Sequence, residues 1–193
     1  MSELRFTLNH FRSVWADVLF VLSLGLSTSC QHTSVKDELK DVSPYFTPFF
    51  TGSEDAVLRD VSFNISADEL KKIEKAKLFE ATPDHLFYEF TFPKDSTPFS
   101  EYANVQYFFN ENNQLDIITA DIYLSDSIQE TKLKKTLNDY YNLRFGTPEK
   151  DDYEHDVWKA SLKDKRTEET YNYSIALKDI SGEFGVTVEY VRE

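Results

Sequence analysis

The chain has 193 residues, with 34 acidic against 21 basic side chains and a formal net charge of −13; a field of that sign repels phosphate backbones and excludes nucleic acid as a natural partner. A single cysteine excludes an intramolecular disulfide and a cysteine-based zinc site, and 5 glycines argue against a glycine-rich phosphate loop. The 16 Phe and 11 Tyr favour pleated, half-buried surfaces.

The first thirty residues read MSELRFTLNHFRSVWADVLFVLSLGLSTSC. Arg5, His10 and Arg12 precede an apolar stretch from Val18 to Leu26, and Ser27, Thr28 and Ser29 are small. A basic start, a short apolar run and a small-residue cleavage site form an export-signal pattern. The run is too short to span a bilayer, which takes about 20 apolar residues. Small residues followed by Cys30 resemble the bacterial lipoprotein signal. That resemblance covers residues 1–30 and implies that Cys30 becomes the first mature residue and carries lipid. Plain secretion, or a helix buried in a cytosolic protein around an ordinary cysteine, remain the alternative readings.

Residues 31–56 follow, opening polar and then carrying Tyr45, Phe46, Phe49 and Phe50 between Pro44, Pro48 and Gly52. We expect a tether whose aromatic cluster packs onto the domain; the sharper alternative is an exposed patch beside the tether. Val61 to Ile65 reads as a short strand. Ser66 with Glu69 forms a capping box, opening a helix that runs to about residue 77. Leu86, Tyr88, Phe90 and Phe92 alternate as a strand, as do Ala103, Val105, Tyr107 and Phe109. Asn110 to Asn113 makes the turn into a third strand, Leu115 to Leu124. A second helix begins at Ser127, with Glu130 completing a capping box and Asp126 as the rival cap. It carries Leu133, Leu137, Tyr140 and Tyr141 on one face and stops at Gly146 and Pro148. Three strands follow, around Val157–Trp158, Tyr171–Leu177 and Phe184–Tyr190.

The order helix, three strands, helix, three strands predicts an α+β fold: an antiparallel sheet with two helices packed on one face, in tandem helix-plus-three-strand units. The expected domains are 1–29 as signal peptide, 30–56 as anchored tether, and 57–193 as one domain of two units, about 57–125 and 126–193. This order is similar to the helix-plus-meander units of the β-lactamase-inhibitor-protein class and of the small outer-membrane assembly lipoproteins of the SmpA/OmlA type. The resemblance covers residues 66–191 and implies binding of other proteins, without transferring a functional residue.

Candidate chemistry is sparse. His155 stands among Asp151, Asp152, Glu154 and Asp156, but consecutive strand residues point to opposite faces, so a solvated acidic hairpin is expected rather than a cation site. Asp116 and Asp121 lie five apart and face opposite sides. Nucleophile-elbow, phosphate-loop and dinucleotide patterns are missing from the sequence, and we expect neither catalysis nor a metal or cofactor. The sheet face left uncovered by helices is the remaining candidate, carrying Tyr88, Tyr107, Tyr123, Tyr171 or Tyr173, with packing inside the core as the alternative. The expectation is a non-catalytic envelope lipoprotein, held to a bacterial membrane by lipid on Cys30, binding a protein or peptide. A small-ligand carrier or envelope sensor is the alternative.

Overall fold

The computed structural model describes Val42 and residues 44–50, 56–92, 101–164 and 168–193. These belong to one compact unit, Leu39–Glu193. The readings for residues 1–29 and for Cys30 lie outside the described residues. Among the described residues no helix is long and apolar enough to cross a membrane.

Three helical segments form. Residues 44–50 are helical (α1). The second helix, Ala67–Ile73 (α2), opens on the capping box: Ser66 accepts from the Glu69 backbone while the Glu69 carboxylate accepts from the Ser66 N–H. It ends at Ile73, four residues short of the expected stop, with Glu74 as its C-cap. The third, Ser127–Phe145 (α3), is capped by Asp126, which accepts from the N–H groups of Ile128 and Gln129. Of the two rival caps the carboxylate holds the position, which also suits the helix dipole. Gly146 closes α3 at φ 85, a conformation costly for any residue with a Cβ. Leu133, Leu137 and Tyr141, at i, i+4 and i+8, are the buried stripe.

Eight strands make one antiparallel sheet: β1 Lys77–Ala81, β2 His85–Thr91, β3 Tyr102–Phe109, β4 Leu115–Tyr123, β5 Glu149–Lys150, β6 Asp156–Lys163, β7 Thr170–Asp179 and β8 Gly185–Arg192. Their order is β1-β2-β3-β4-β8-β7-β6-β5. Each half is therefore a helix followed by four strands, not three, and three helical segments accompany the sheet, not two. The unforeseen strands are the two edges. At an edge nothing need be buried, so the residues carry no alternation: all five of β1 and both of β5 are exposed. The expected strand at Val61–Ile65 is instead irregular chain with an isolated bridge from Leu58 to Val61. Leu58, Val61, Phe63 and Ile65 are buried all the same.

The two halves repeat in register. Tyr88 faces Val105 and Val105 faces Ala120; 70 residues later Trp158 faces Ile175 and Ile175 faces Tyr190. The turns repeat too, Asn113 at φ 56 and Gly182 at φ 79 supplying the left-handed residue of each final hairpin. The halves meet along β4 and β8, where Ile118, Ala120, Ile122, Val186 and Val188 are wholly inaccessible. Apolar β-branched residues at the centre and charged ones at the rim give this strand order a physical reason.

One parity of the strands is buried, and the helical segments contact that side. Phe49 of α1 meets Phe90 and Phe92, Tyr141 of α3 meets Trp158, and Glu74 at the end of α2 meets Tyr107. The aromatic lead-in belongs to this core: Val42, Tyr45, Phe46, Phe49 and Phe50 are all buried. The packed domain thus begins before residue 57, and the exposed-patch reading of these rings is set aside. Tyr45 is fixed further by donating to Glu101 at 2.5 Å, with Gln129 at 2.7 Å from the same hydroxyl. Burial, with the Glu101 carboxylate beside it, pushes the Tyr45 phenol up.

Candidate functional site: the uncovered face of the sheet

Side chains of the other strand parity form a face that the described helices leave open. Pairing across neighbouring strands lines up His85, Phe108, Ile117 and Val191 in one continuous row over β2, β3, β4 and β8. All four are half-buried. The His85 imidazole stacks on Phe108 with ring centres 4.5 Å apart and planes 15° apart, and on its other side lies Phe87 at 6.4 Å. Phe87 in turn meets Phe79 at 5.1 Å. Such offset contacts fix rings in place and lower the entropy lost when something docks on them. His85 Nε2 is buried with no hydrogen-bond partner among the described residues, and a buried imidazole nitrogen ordinarily has one.

A polar row runs beside the apolar one. Asp121 accepts from Thr187 at 2.6 Å and from Gln106 at 3.4 Å, and Lys178 bonds Glu189 at 2.5 Å. Beyond it Tyr102 stacks on Tyr123 at 4.5 Å. The face therefore reads as apolar, then hydrogen-bonding, then aromatic, over adjacent rows of a rigid sheet. This arrangement suits shape-specific contact; it offers docking area and a few oriented polar groups.

Of the five tyrosines considered from the sequence, the structure brings only Tyr123 to this face. Tyr88, Tyr107, Tyr171 and Tyr173 lie on the covered side, each with less than 5% of its surface exposed. Their parity is shared with Leu86, Val105 and Ile175, the buried side, which the helices and the irregular chain around Phe63 cover. The face is instead carried by His85, Phe87, Phe108, Ile117 and Tyr102, which residue type alone did not single out. Their signal was positional: they are the opposite parity of the same strands.

The covered side holds polar groups that no sequence pattern announced. Arg59, at φ 49 in a loop, makes a two-pronged bond to Glu74, Nη2 to Oε1 at 2.8 Å and Nε to Oε2 at 3.1 Å. The Glu74 side chain is only 1% exposed. Tyr107 donates to it at 2.9 Å and the Lys75 and Ala76 N–H groups at 2.7 and 2.8 Å. Burial pushes the Glu74 carboxyl up, but Arg59, the Ala76 N–H and the Tyr107 hydroxyl together outweigh it and hold the group below its ordinary value. Arg59 Nη1 also bonds the Pro48 carbonyl, and its guanidinium lies over Phe49 and Phe90. Five separate pieces of chain converge on one ion pair. Nearby in the core, the hydroxyls of Tyr141 and Tyr190 meet at 2.6 Å, and burial drives both phenols up.

His155 sits in the β5–β6 hairpin, its Nδ1 2.9 Å from Asp151, whose other oxygen accepts from the N–H groups of Tyr153 and His155. That is a hydrogen-bonded turn. Among the described residues no group of three or more His, Cys, Asp or Glu is placed to hold a metal ion. Asp116 and Asp121 are not brought together, and Asp121 is engaged by Thr187 as above. No family model, curated protein or solved structure matches the chain.

Proposed function

We propose that this chain is a non-catalytic lipoprotein of the bacterial envelope, anchored through Cys30, which binds a protein or peptide on the uncovered face of its sheet. The observation that carries the reading is the row His85, Phe108, Ile117 and Val191, extended by Phe87 and Phe79. Five strands hold these side chains on one rigid surface, exposed or half-buried and already ordered against each other. Contiguous apolar surface rimmed by polar groups marks interaction sites. The 70-residue register shift supports reading the domain as two tandem helix-plus-sheet units with the helices gathered over the opposite face.

The test has two arms. A photo-crosslinking residue placed at Phe87 or Phe108 in the native host should give one discrete adduct, lost with Ile117→Lys. The same residue at Leu143, which is 87% exposed on α3, should give none. Equal labelling from both sites would sink the binding reading. The anchor is tested separately by mass spectrometry of the mature N-terminal peptide: a diacylated Cys30 supports it, and an intact Met1 on a soluble chain overturns it.

A further inference from the structure

We propose that the partner docked on the open face presents an arginine, whose guanidinium pairs with Asp121 beside the stacked rings of Tyr102 and Tyr123, while an apolar side chain of the same segment covers the row His85, Phe108, Ile117 and Val191. This rests on the binding reading above and names the chemistry of its partner.

The charges of the face do not balance among themselves. Strand pairing sets Lys77, Glu89, Asn104, Asp121, Thr187 and Lys178 in one row across five strands of the first half and the junction into β7. Lys77 stands 3.8 Å from Glu89, and Lys178 bonds Glu189 at 2.5 Å. Asp121 lies between these two pairs. Its half-buried carboxylate accepts from Thr187 at 2.6 Å and, more loosely, from Gln106 at 3.4 Å. Both donors are neutral, and among the described residues no lysine or arginine pairs with it. A carboxylate held by neutral donors keeps its charge and a set orientation, the complement of a docking cation. In the second half the matching place is self-contained: Val191 stands where the carboxylate would be, and Lys159 closes on Glu193.

The surroundings favour arginine over lysine. Tyr102 and Tyr123 stack at 4.5 Å, so each covers one face of the other. On β8 the strand partner of Tyr123 is Gly185, which sets no side chain of its own against the ring's remaining face. Burial pushes the Tyr123 phenol up and the Asp121 charge adds to it, so ring and carboxylate share one negative field. A flat guanidinium stacks on such a ring and forks onto a carboxylate; an ammonium is a point charge without that fork. The net charge of −13 draws a basic segment from a distance. Ile117 and Asp121 both lie on β4, about 13 Å apart along the strand, so one short segment spans the apolar row and the carboxylate.

Panning a library of random short peptides on the immobilised full chain tests this. Selected peptides should carry arginine together with apolar residues. Their affinity, read by fluorescence anisotropy, should be lost with Ile117→Lys. Asp121→Asn still accepts from Thr187 and should weaken binding by about tenfold to a hundredfold. Citrulline in place of the peptide's arginine, neutral and of the same shape, should cost as much, and the two losses should not add. Lysine in its place, or Tyr102→Leu, should cost a few-fold. Circular dichroism checks that each variant is folded. Peptides lost with Ile117→Lys but indifferent to Asp121→Asn and to citrulline overturn the arginine and leave the binding reading standing. So does lysine binding as well as arginine. Selected peptides indifferent to Ile117→Lys, or no selected peptide at all, overturn both.

Discussion

Arg59→Met removes the cation that faces a carboxylate 1% exposed. Breaking a buried pair by deleting one partner typically costs about 3–5 kcal/mol, since the remaining charge is left uncompensated. The lost contacts of the guanidinium with Phe49 and Phe90 add roughly 0.5–2 kcal/mol. Glu74→Gln should cost less, because an amide still accepts from Tyr107 and Arg59 keeps the Pro48 carbonyl. Arg59→Met with Glu74→Met should recover much of the loss, giving a coupling of at least about 2 kcal/mol. Urea denaturation followed by circular dichroism and by emission of the buried Trp158 measures all three. The pH dependence carries a sign. In the wild type the Glu74 carboxyl is held low, so its contribution is complete above its unfolded value and lost as pH falls through the folded one. Without Arg59, only the Ala76 N–H and the Tyr107 hydroxyl still oppose burial, and the folded value moves up. The deficit of Arg59→Met is then full at neutral pH and shrinks on acidification. A cost below about 1 kcal/mol, or single costs that simply add, would refute the account of a buried, coupled pair.

Other perturbations read other parts of the fold. Tyr141→Phe or Tyr190→Phe leaves one buried hydroxyl unpaired and should cost about 1–3 kcal/mol, while the double variant costs less than the sum; a double-mutant cycle in urea checks this. A Cβ at Gly185 would lie 2.2 Å from the Ile122 carbonyl oxygen in the adjoining strand, so Gly185→Ala should lower stability by roughly 3 kcal/mol. Gly182→Ala meets open space, and only its positive φ resists, at about 1 kcal/mol; comparing the two melting temperatures separates steric from conformational cost. Phe49→Ala should cost about 3–5 kcal/mol because the lead-in is part of the core, whereas Leu143→Ala, 87% exposed, should stay within about 0.5 kcal/mol.

Where a residue's neighbours in sequence determine its state, the sequence was legible. The Ser66–Glu69 box, the stripe Leu133, Leu137 and Tyr141, and the stop at Gly146 are all local devices. The edge strands were not legible, because β1 and β5 are recruited by their neighbours in the sheet and bury nothing of their own. Helix α2 was read too long for the same reason: Lys75, Ala76 and Lys77 suit a helix, and only pairing with β2 makes Lys77 extended. For the candidate face, alternation separated the two sides of each strand but did not say which side the helices take. Phe87, Phe108 and Ile117 on one side are as apolar as Tyr88 and Tyr107 on the other. Choosing tyrosines by type favoured the buried side. The Arg59–Glu74 pair joins a loop to a helix end, a meeting that only the folded chain creates.

The last strand in chain order does not lie at a rim. It seals the middle, joining β4 to β7. Until β8 is in place the two halves have no common ladder, and each presents a raw apolar border, Ile118 and Ile122 on one, Ile175 and Leu177 on the other. Synthesis proceeds from the other end, so a chain emerging in order must hold its first meander with β4 uncovered until the final strand arrives. The pairing of Ile117 with Val191 closes the longest loop of the sheet, the slow kind of contact. During that interval the exposed border of β4 is the surface most open to capture by another strand, and an escort for nascent chains would find its grip there.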